Sequence, residues 1–120
     1  MHKIKQLKPS AREKKRYLAF EVISKNNLKK EAFPGIIDGI KRNLGLFSAG
    51  NAGIMPVTFD QKTQRGIIKM GHKYVNKVRV SMMLMNQQTL TITEDGDDYL
   101  IKTLSASGTI NTLEQHYFAS

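Results

Sequence analysis

The sequence predicts an α+β two-layer sandwich, and the order of its apolar patterns carries that prediction. Four segments show the alternation or the short apolar runs of β-strands, and two longer segments between them repeat apolar residues at helical spacing. The resulting order is βαββαβ followed by a C-terminal helix. Because βαβ crossovers are right-handed and hairpin strands are antiparallel, this order favours a four-stranded antiparallel sheet with helices packed on one face. Such a fold is ferredoxin-like or RRM-like.

The first half of the chain supplies one strand and one helix. Tyr17 to Ser24 alternates apolar residues at period two, which predicts the first strand. A helix is predicted over Phe33 to Leu44, with Pro34 in its first turn, where a missing N–H costs least, and Gly45 as the residue that ends it. The small residues from Gly45 to Gly53 predict a loop.

The second half of the chain supplies a hairpin, a helix, a strand and a closing helix. The apolar runs Ile54 to Phe59 and Arg65 to Met70 flank a short polar connection, so they predict a hairpin of strands two and three. The spacing of apolar residues predicts a second helix over His72 to Met85, and Tyr99 to Ala106 predicts strand four. Thr109 is the expected N-cap of the closing helix.

Two local features lead to further predictions. Leu90 and Ile92 alternate with threonines ahead of an Asp-Gly pair, which predicts a short accessory strand. Gly108 lies between strand four and the closing helix, where a tight turn would require φ > 0. On that basis Gly108→Val is expected to destabilise the protein.

The net charge of +9 is unevenly distributed along the chain. Residues 1 to 16 carry seven basic side chains against one acidic one, whereas residues 86 to 120 carry one basic side chain against five acidic ones. This asymmetry predicts a basic N-terminal arm, residues 1 to 16, in front of a single RRM-like domain, residues 17 to 120. A positive arm and face are typical of proteins that bind nucleic acid.

The composition limits the class of protein. With 40% hydrophobic residues, a chain of this size can form one core without a disulfide or a metal. The absence of cysteine excludes thiolate zinc sites and fits an intracellular protein. No apolar run approaches the roughly 20 residues of a membrane-spanning helix. We therefore expect a cytoplasmic protein that does not contact a membrane.

The sequence contains no motif for catalysis, a metal or a cofactor. His2, His72 and His116 lack the spacing of metal-binding pairs, and no phosphate-cradling glycine motif is present. The acidic group from Glu94 to Asp98 lacks the pattern of a calcium loop. Strand three lacks the aromatic residues on which an RRM stacks bases, so recognition of RNA by shape and phosphate contact is expected instead.

The residues predicted to contact RNA are mostly cations, because lysine and arginine that neutralise phosphates release counterions. They lie on the arm, on strand three, on helix two and in the turn before the closing helix. That turn would offer backbone N–H groups to a phosphate, or would simply cap the helix. The full set is Lys8, Arg12, Lys14, Lys15, Arg16, Arg65, Lys69, Lys73, Lys77, Ser107, Gly108 and Thr109.

Four short segments give the chain a resemblance to a known family. They are K-K-R-Y-L-A-F at Lys14 to Phe20, R-G-I-I-K at Arg65 to Lys69, S-M-M-L-M at Ser81 to Met85 and S-G-T-I at Ser107 to Ile110. In this order they resemble the archaeal ribonuclease P protein component 2 family, whose eukaryotic relatives are subunits of nuclear ribonuclease P. The resemblance spans roughly residues 8 to 118, which is almost the whole chain.

The resemblance implies a noncatalytic, RNA-binding subunit of the endoribonuclease that removes the 5′ leader from precursor tRNA. The ribonuclease P RNA, with Mg²⁺ bound to it, would perform the hydrolysis, and the protein itself would bind no cofactor. The implied partners are this RNA, a TIM-barrel protein subunit and a second copy of the chain within a heterotetramer. Precursor tRNA would be the substrate of the holoenzyme.

Other classes of protein stay open on the residues alone. Charge and fold do not separate a ribonuclease P subunit from a ribosomal protein or another protein that binds structural RNA. A ferredoxin-like regulatory module could bind a small molecule through the loop from Gly45 to Gly53. A stand-alone nuclease would need carboxylates gathered at a cleft for metal ions, whereas most acidic residues of the second half cluster in one predicted turn.

Overall fold

The computed structural model describes residues 14–92 and 99–118 of the protein. Its strands are β1 (Lys15–Ser24), β2 (Met55–Asp60), β3 (Arg65–Gly71) and β4 (Tyr99–Ser107). Its helices are α1 (Phe33–Leu44), α2 (Leu46–Ala52), α3 (Val75–Ile92) and α4 (Ile110–Leu113), the last continued by a π-helical turn, Glu114–Phe118. Short 3-10 turns, Lys30–Ala32 and His72–Tyr74, precede α1 and α3. None of the helices in the described ranges is long and apolar enough to cross a membrane.

The four strands form one antiparallel sheet in the order β2-β3-β1-β4. The central pair is β1 and β3, in which Leu18 lies opposite Ile68. On its other side β1 pairs with β4, where Leu18 lies opposite Ala106 and a register irregularity follows. This topology confirms the predicted α+β class with a four-stranded sheet and a C-terminal helix.

The larger core lies between the sheet and the helices α1 and α3. From β1 it contains Leu18, Phe20 and Val22, which alternate along the strand and therefore point to the same face. The helices contribute Ile36, Ile40, Val78 and Met82, all of them buried. Each side chain of this size contributes about 1.5–3 kcal/mol when it leaves water, so this face stabilises the fold.

The C-terminal helix packs on the opposite face of the sheet. A second apolar cluster there consists of Ala19 from β1, Ile67 from β3 and Leu113 from α4, all buried. Ala19 follows Leu18 directly, and neighbouring residues of a strand point to opposite faces. The prediction of helices on one face therefore holds for α1 and α3, whereas α4 makes a third, partial layer.

Two of the predicted connections are wrong. The segment from Gly45 to Gly53 is not a loop but contains α2, whose Ala52 is buried in the main core. No accessory strand forms at Leu90 and Ile92, because α3 continues to Ile92. The Asp-Gly pair expected to turn that strand lies outside the described residues.

The first residue of helix α3 beyond its predicted end contacts strand β4. The side chain of Asn86 accepts a hydrogen bond from the N–H of Ile101 and donates one to its carbonyl, both at 2.8 Å. Tertiary contacts of this kind override a local sequence preference.

The boundaries of helix α1 agree with the prediction. Pro34 lies in its first turn, and Gly45, which follows its last residue, has a φ of 88°.

Gly66 leaves room for an aromatic cluster under the sheet. The ring of Phe20 lies 6.0 Å from that of Phe33 and 6.4 Å from that of Phe59, measured between centroids. A Cβ atom at position 66 would lie 2.6 Å from Cζ of Phe20 and 3.1 Å from Cδ1 of Phe59. The rings of Phe20, Phe33 and Phe59 pack against one another, so none of them can easily make room for a methyl group at position 66.

We expect Gly66→Ala to destabilise the protein by about 1–3 kcal/mol, because a methyl group would overpack the rings. Urea denaturation measures this change. Gly35→Ala is the matched control, since no atom lies within 4 Å of its Cβ position; within a helix it should be neutral or stabilise by up to about 1 kcal/mol. A Gly66→Ala protein as stable as the wild type would contradict the packing described above.

Candidate nucleic-acid interface

The start of β1 brings three cations to one end of the sheet. Lys14, Lys15 and Arg16 are exposed and come directly before the apolar part of the strand. Lys15 lies opposite Gly71, the last residue of β3. The pairing continues one step further, because the N–H of His72 donates to the carbonyl of Lys14 at 2.8 Å. The backbone that carries these three side chains is thus held next to the start of α3.

Three more cations follow as the chain passes from β3 into α3. Lys69 is half-buried on β3, Lys73 is exposed in the 3-10 turn and Lys77 is exposed in the first turn of α3. The ammonium of Lys77 lies 5.5 Å from the centroid of the Tyr74 ring, a cation–π contact that orders its side chain. Residues 61 to 93 carry six basic side chains and no acidic one, so this part of the chain contributes only positive charge.

The turn after β4 adjoins the same cations. Ser107 lies opposite Tyr17 in the sheet, and Tyr17 directly follows the cations that open β1. A Cβ atom at Gly108 would lie 3.6 Å from a guanidinium nitrogen of Arg16, so that side chain reaches the turn. The structure therefore brings together nine of the predicted residues in one region. We call it the basic end: Lys14, Lys15, Arg16, Lys69, Lys73, Lys77, Ser107, Gly108 and Thr109.

The turn itself differs from the sequence prediction. Gly108 does not have a positive φ, unlike Gly45 and Gly53. The prediction that Gly108→Val would strain a tight turn is therefore wrong. The chain leaves β4 in an extended conformation, with φ −131° and ψ 144° at Thr109, and not through a tight turn. Thr109 does occupy the N-cap position, but its hydroxyl bonds to that of Thr112 at 2.8 Å and caps no backbone group.

The phosphate-binding role of this turn stays a prediction, with fewer free donors than expected. The N–H of Thr109 already donates to Oγ of Ser107 at 3.2 Å. Moreover, α4 has only four residues, Ile110–Leu113, so the dipole at its start is small. Side-chain cations, and not backbone N–H groups, are the main phosphate ligands that this region offers.

Arg65 lies apart from the basic end. It occupies the other end of β3, four residues from Lys69 and therefore about 13 Å away along the strand. Its Nη1 donates to the carbonyl of Tyr117 at 3.2 Å, and its guanidinium lies 5.4 Å from the centroid of the Tyr117 ring. RNA contact by Arg65 stays a prediction, but the structure gives the side chain a role in holding the C-terminal turn against the sheet.

Two further predicted residues, Lys8 and Arg12, lie outside the described residues. Conversely, Tyr17 lies at the basic end and was not selected from the sequence. Its neighbours Leu18 and Phe20 are buried toward α1 and α3, so strict alternation would have placed the Tyr17 ring on the other face. Among the side chains that the structure describes, no three acidic or histidine residues are grouped as metal ligands.

Comparison with known proteins relates this arrangement to a family. The model of the Rpp14/Pop5 family matches residues 16–118, which span the whole sheet and the C-terminal helix. The chain belongs to the Rpp14/Pop5 family. The resemblance seen in the sequence is thereby confirmed.

The relatives of this Rpp14/Pop5 protein include several archaeal proteins named ribonuclease P protein component 2. The protein from Pyrococcus horikoshii is 34% identical, over 99% of this chain and 95% of its own. The protein from Pyrococcus furiosus is 35% identical over 96% and 92%, and that from Methanosarcina barkeri is 34% identical over 95% and 79%. The similarity thus extends over nearly the full length of the chain.

A solved structure shares the fold. A chain in the cryo-EM structure of yeast ribonuclease MRP matches with a TM-score of 0.58, covering 82% of this chain and 76% of that chain. The two sequences are only 10% identical, so this likeness concerns the fold alone.

In this Rpp14/Pop5 protein, we expect Arg65→Gln to lower the free energy of unfolding by about 1–2 kcal/mol, because a hydrogen bond and a cation–π contact are lost. Amide hydrogen exchange should increase mainly over residues 114 to 118. Lys102→Gln is the control, since Lys102 is exposed on β4. Unchanged exchange at the C-terminal turn in Arg65→Gln would show that Arg65 does not hold it.

Proposed function

We propose that this chain is a protein subunit of ribonuclease P that binds the RNA of that enzyme. The basic end carries the proposal, because it gathers cations from the start of β1, from β3 and from the start of α3 at one end of the sheet. Membership of the Rpp14/Pop5 family and full-length relatives named ribonuclease P protein component 2 support it. These comparisons favour a ribonuclease P subunit over a ribosomal protein, whereas charge and fold alone did not separate the two classes.

The proposed role is electrostatic and not chemical. A folded RNA brings phosphates close together, and their repulsion opposes the compact state. Lys14, Lys15 and Arg16, with the cations of β3 and α3, would neutralise some of these phosphates and so replace part of the Mg²⁺ that the RNA requires. In this proposal the RNA and its bound Mg²⁺ perform the hydrolysis, and the protein binds no cofactor of its own.

Membership of the family supports two further parts of the proposal, the substrate and the protein partners. We infer that the complex removes the 5′ leader from precursor tRNA in the cytoplasm. We also infer that the chain joins a TIM-barrel protein subunit and pairs with a second copy of itself in a heterotetramer.

The test is cleavage of precursor tRNA by the cognate ribonuclease P RNA at limiting Mg²⁺. The protein and the TIM-barrel subunit are added singly and together. We expect stimulation that requires both proteins and that disappears at high Mg²⁺, where the cation alone compacts the RNA. Absence of stimulation, together with salt-sensitive binding of the RNA, would identify the chain as a protein for another structural RNA.

Removing the cations at the start of β1 should weaken RNA binding. For the triple variant Lys14→Ala, Lys15→Ala and Arg16→Ala, we expect the slope of log K against log salt concentration to fall in magnitude by roughly 2–3, about one per lost phosphate contact. The Mg²⁺ concentration required for cleavage should rise in parallel. The fold should be retained, because all three side chains are exposed.

A matched control separates position from total charge. Lys25, Lys29 and Lys30 are also exposed, and they follow the opposite end of β1. Their replacement by alanine removes the same charge, so an unspecific electrostatic effect would weaken binding equally in both variants. Equal losses would argue against the basic end as the RNA-binding surface, whereas a loss confined to the first variant supports it.

A further inference from the structure

One row of side chains crosses the sheet next to the basic end. Tyr17 of β1 lies opposite Lys69 of β3 on one side and opposite Ser107 of β4 on the other. Lys69 in turn lies opposite Met55 of β2. Residues that are directly opposed in antiparallel strands have their side chains on the same face. Met55, Lys69, Tyr17 and Ser107 therefore form a single row, one residue from each strand.

This row lies on the sheet face that α4 covers in part. Leu18 is buried toward α1 and α3, so Tyr17 points to the opposite face. On that face Leu113 of α4 packs over Ala19 and Ile67, which are each two residues from the row along their strands. The helix therefore covers the middle of the face, and the row borders it at the end where β1 begins.

The row offers a supported aromatic ring. Tyr17 is half-buried, and the apolar cluster under α4 packs against it. Met55, at the outer end of the row, is 53% exposed, although it is a large apolar side chain. A ring that is held by neighbours but still reaches solvent can stack a base at low entropic cost, and such stacking is largely independent of sequence.

Polar groups flank the ring on both sides. Lys69 of β3 lies on one side, and on the other side the Ser107 hydroxyl of β4 accepts from the N–H of Thr109 and so keeps its own proton to donate. The Arg16 guanidinium lies beside Gly108, just past Ser107. A ring between a cation and a hydroxyl donor matches a nucleotide, which combines a flat base with an anionic phosphate.

We propose that this row binds one unpaired nucleotide of an RNA, with its base stacked on Tyr17 and its phosphate at Lys69. The proposal rests on the proposed RNA-binding function and adds a single-stranded contact to it. Since the row holds one ring, it takes one base, in contrast to the two or three that an RRM sheet stacks. The lack of aromatic residues on β3 therefore limits the number of bases without excluding stacking.

The test uses an RNA hairpin with a single bulged 2-aminopurine and the same hairpin without the bulge. The wild-type protein should bind the bulged hairpin more tightly, and stacking should quench the 2-aminopurine fluorescence. Tyr17→Leu should lower affinity for the bulged hairpin by roughly 5- to 100-fold and leave affinity for the paired one nearly unchanged. Tyr17→Phe retains the ring and should bind both as the wild type does.

A second variant tests the phosphate contact. Lys69→Gln should reduce the magnitude of the salt slope by about one for the bulged hairpin, whereas Tyr17→Leu should leave that slope unchanged. Because Tyr17 packs on an apolar cluster, the stability of each variant is measured by urea denaturation. The quenching by wild-type protein needs no variant, so it decides the question even if Tyr17→Leu fails to fold.

The possible failures are distinguishable. If the wild-type protein binds both hairpins equally and without quenching, the nucleotide site is wrong and the RNA-binding function stands. If it binds neither hairpin nor ribonuclease P RNA at low salt, both the site and the proposed function are wrong.

Discussion

The contact of the Phe20 ring with Gly66 is the constraint on which the rest of the structure depends. Phe20 lies in the middle of β1, and its ring occupies the space that a side chain at Gly66 would fill. There it meets Phe33 from α1 and Phe59 from β2. This contact links three strands and one helix, and so fixes the register of β1 against β3. A slip of one residue would move every side chain of β1 to the opposite face.

That register decides where the functional groups lie. It buries one set of alternating β1 residues under α1 and α3. The other set points to the opposite face of the sheet, where α4 covers the middle and the row around Tyr17 lies at the end. The two ends of β3 then differ in role. Lys69 lies beside the cations that open β1, whereas Arg65 is engaged by Tyr117 and stabilises the C-terminal turn. The proposed phosphate contact and the structural support are thus separated along a single strand.

Local sequence patterns predicted those elements whose structure depends mainly on residues that are close in sequence. Alternation located the strands, and Pro34 marked the first helix, because these signals act within one or two turns of chain. The sequence did not predict α2, which depends on burial of Ala52, or the extension of α3 to Ile92. It also grouped Arg65 with the cations predicted to bind RNA, since its partner Tyr117 is distant in sequence and no local pattern reveals such a contact. The exposed cations at the start of β1 were found from charge alone.

The central position of β1 has a consequence for synthesis of the chain. Among the strands in the described ranges it is made first and its partner β4 last, so one edge of β1 stays open until β4 has emerged. An open apolar edge can pair with another unfinished chain. Charged residues that flank an apolar strand oppose such association. Lys14, Lys15 and Arg16 occupy that flanking position, so their positive charge opposes such association even when no RNA is present.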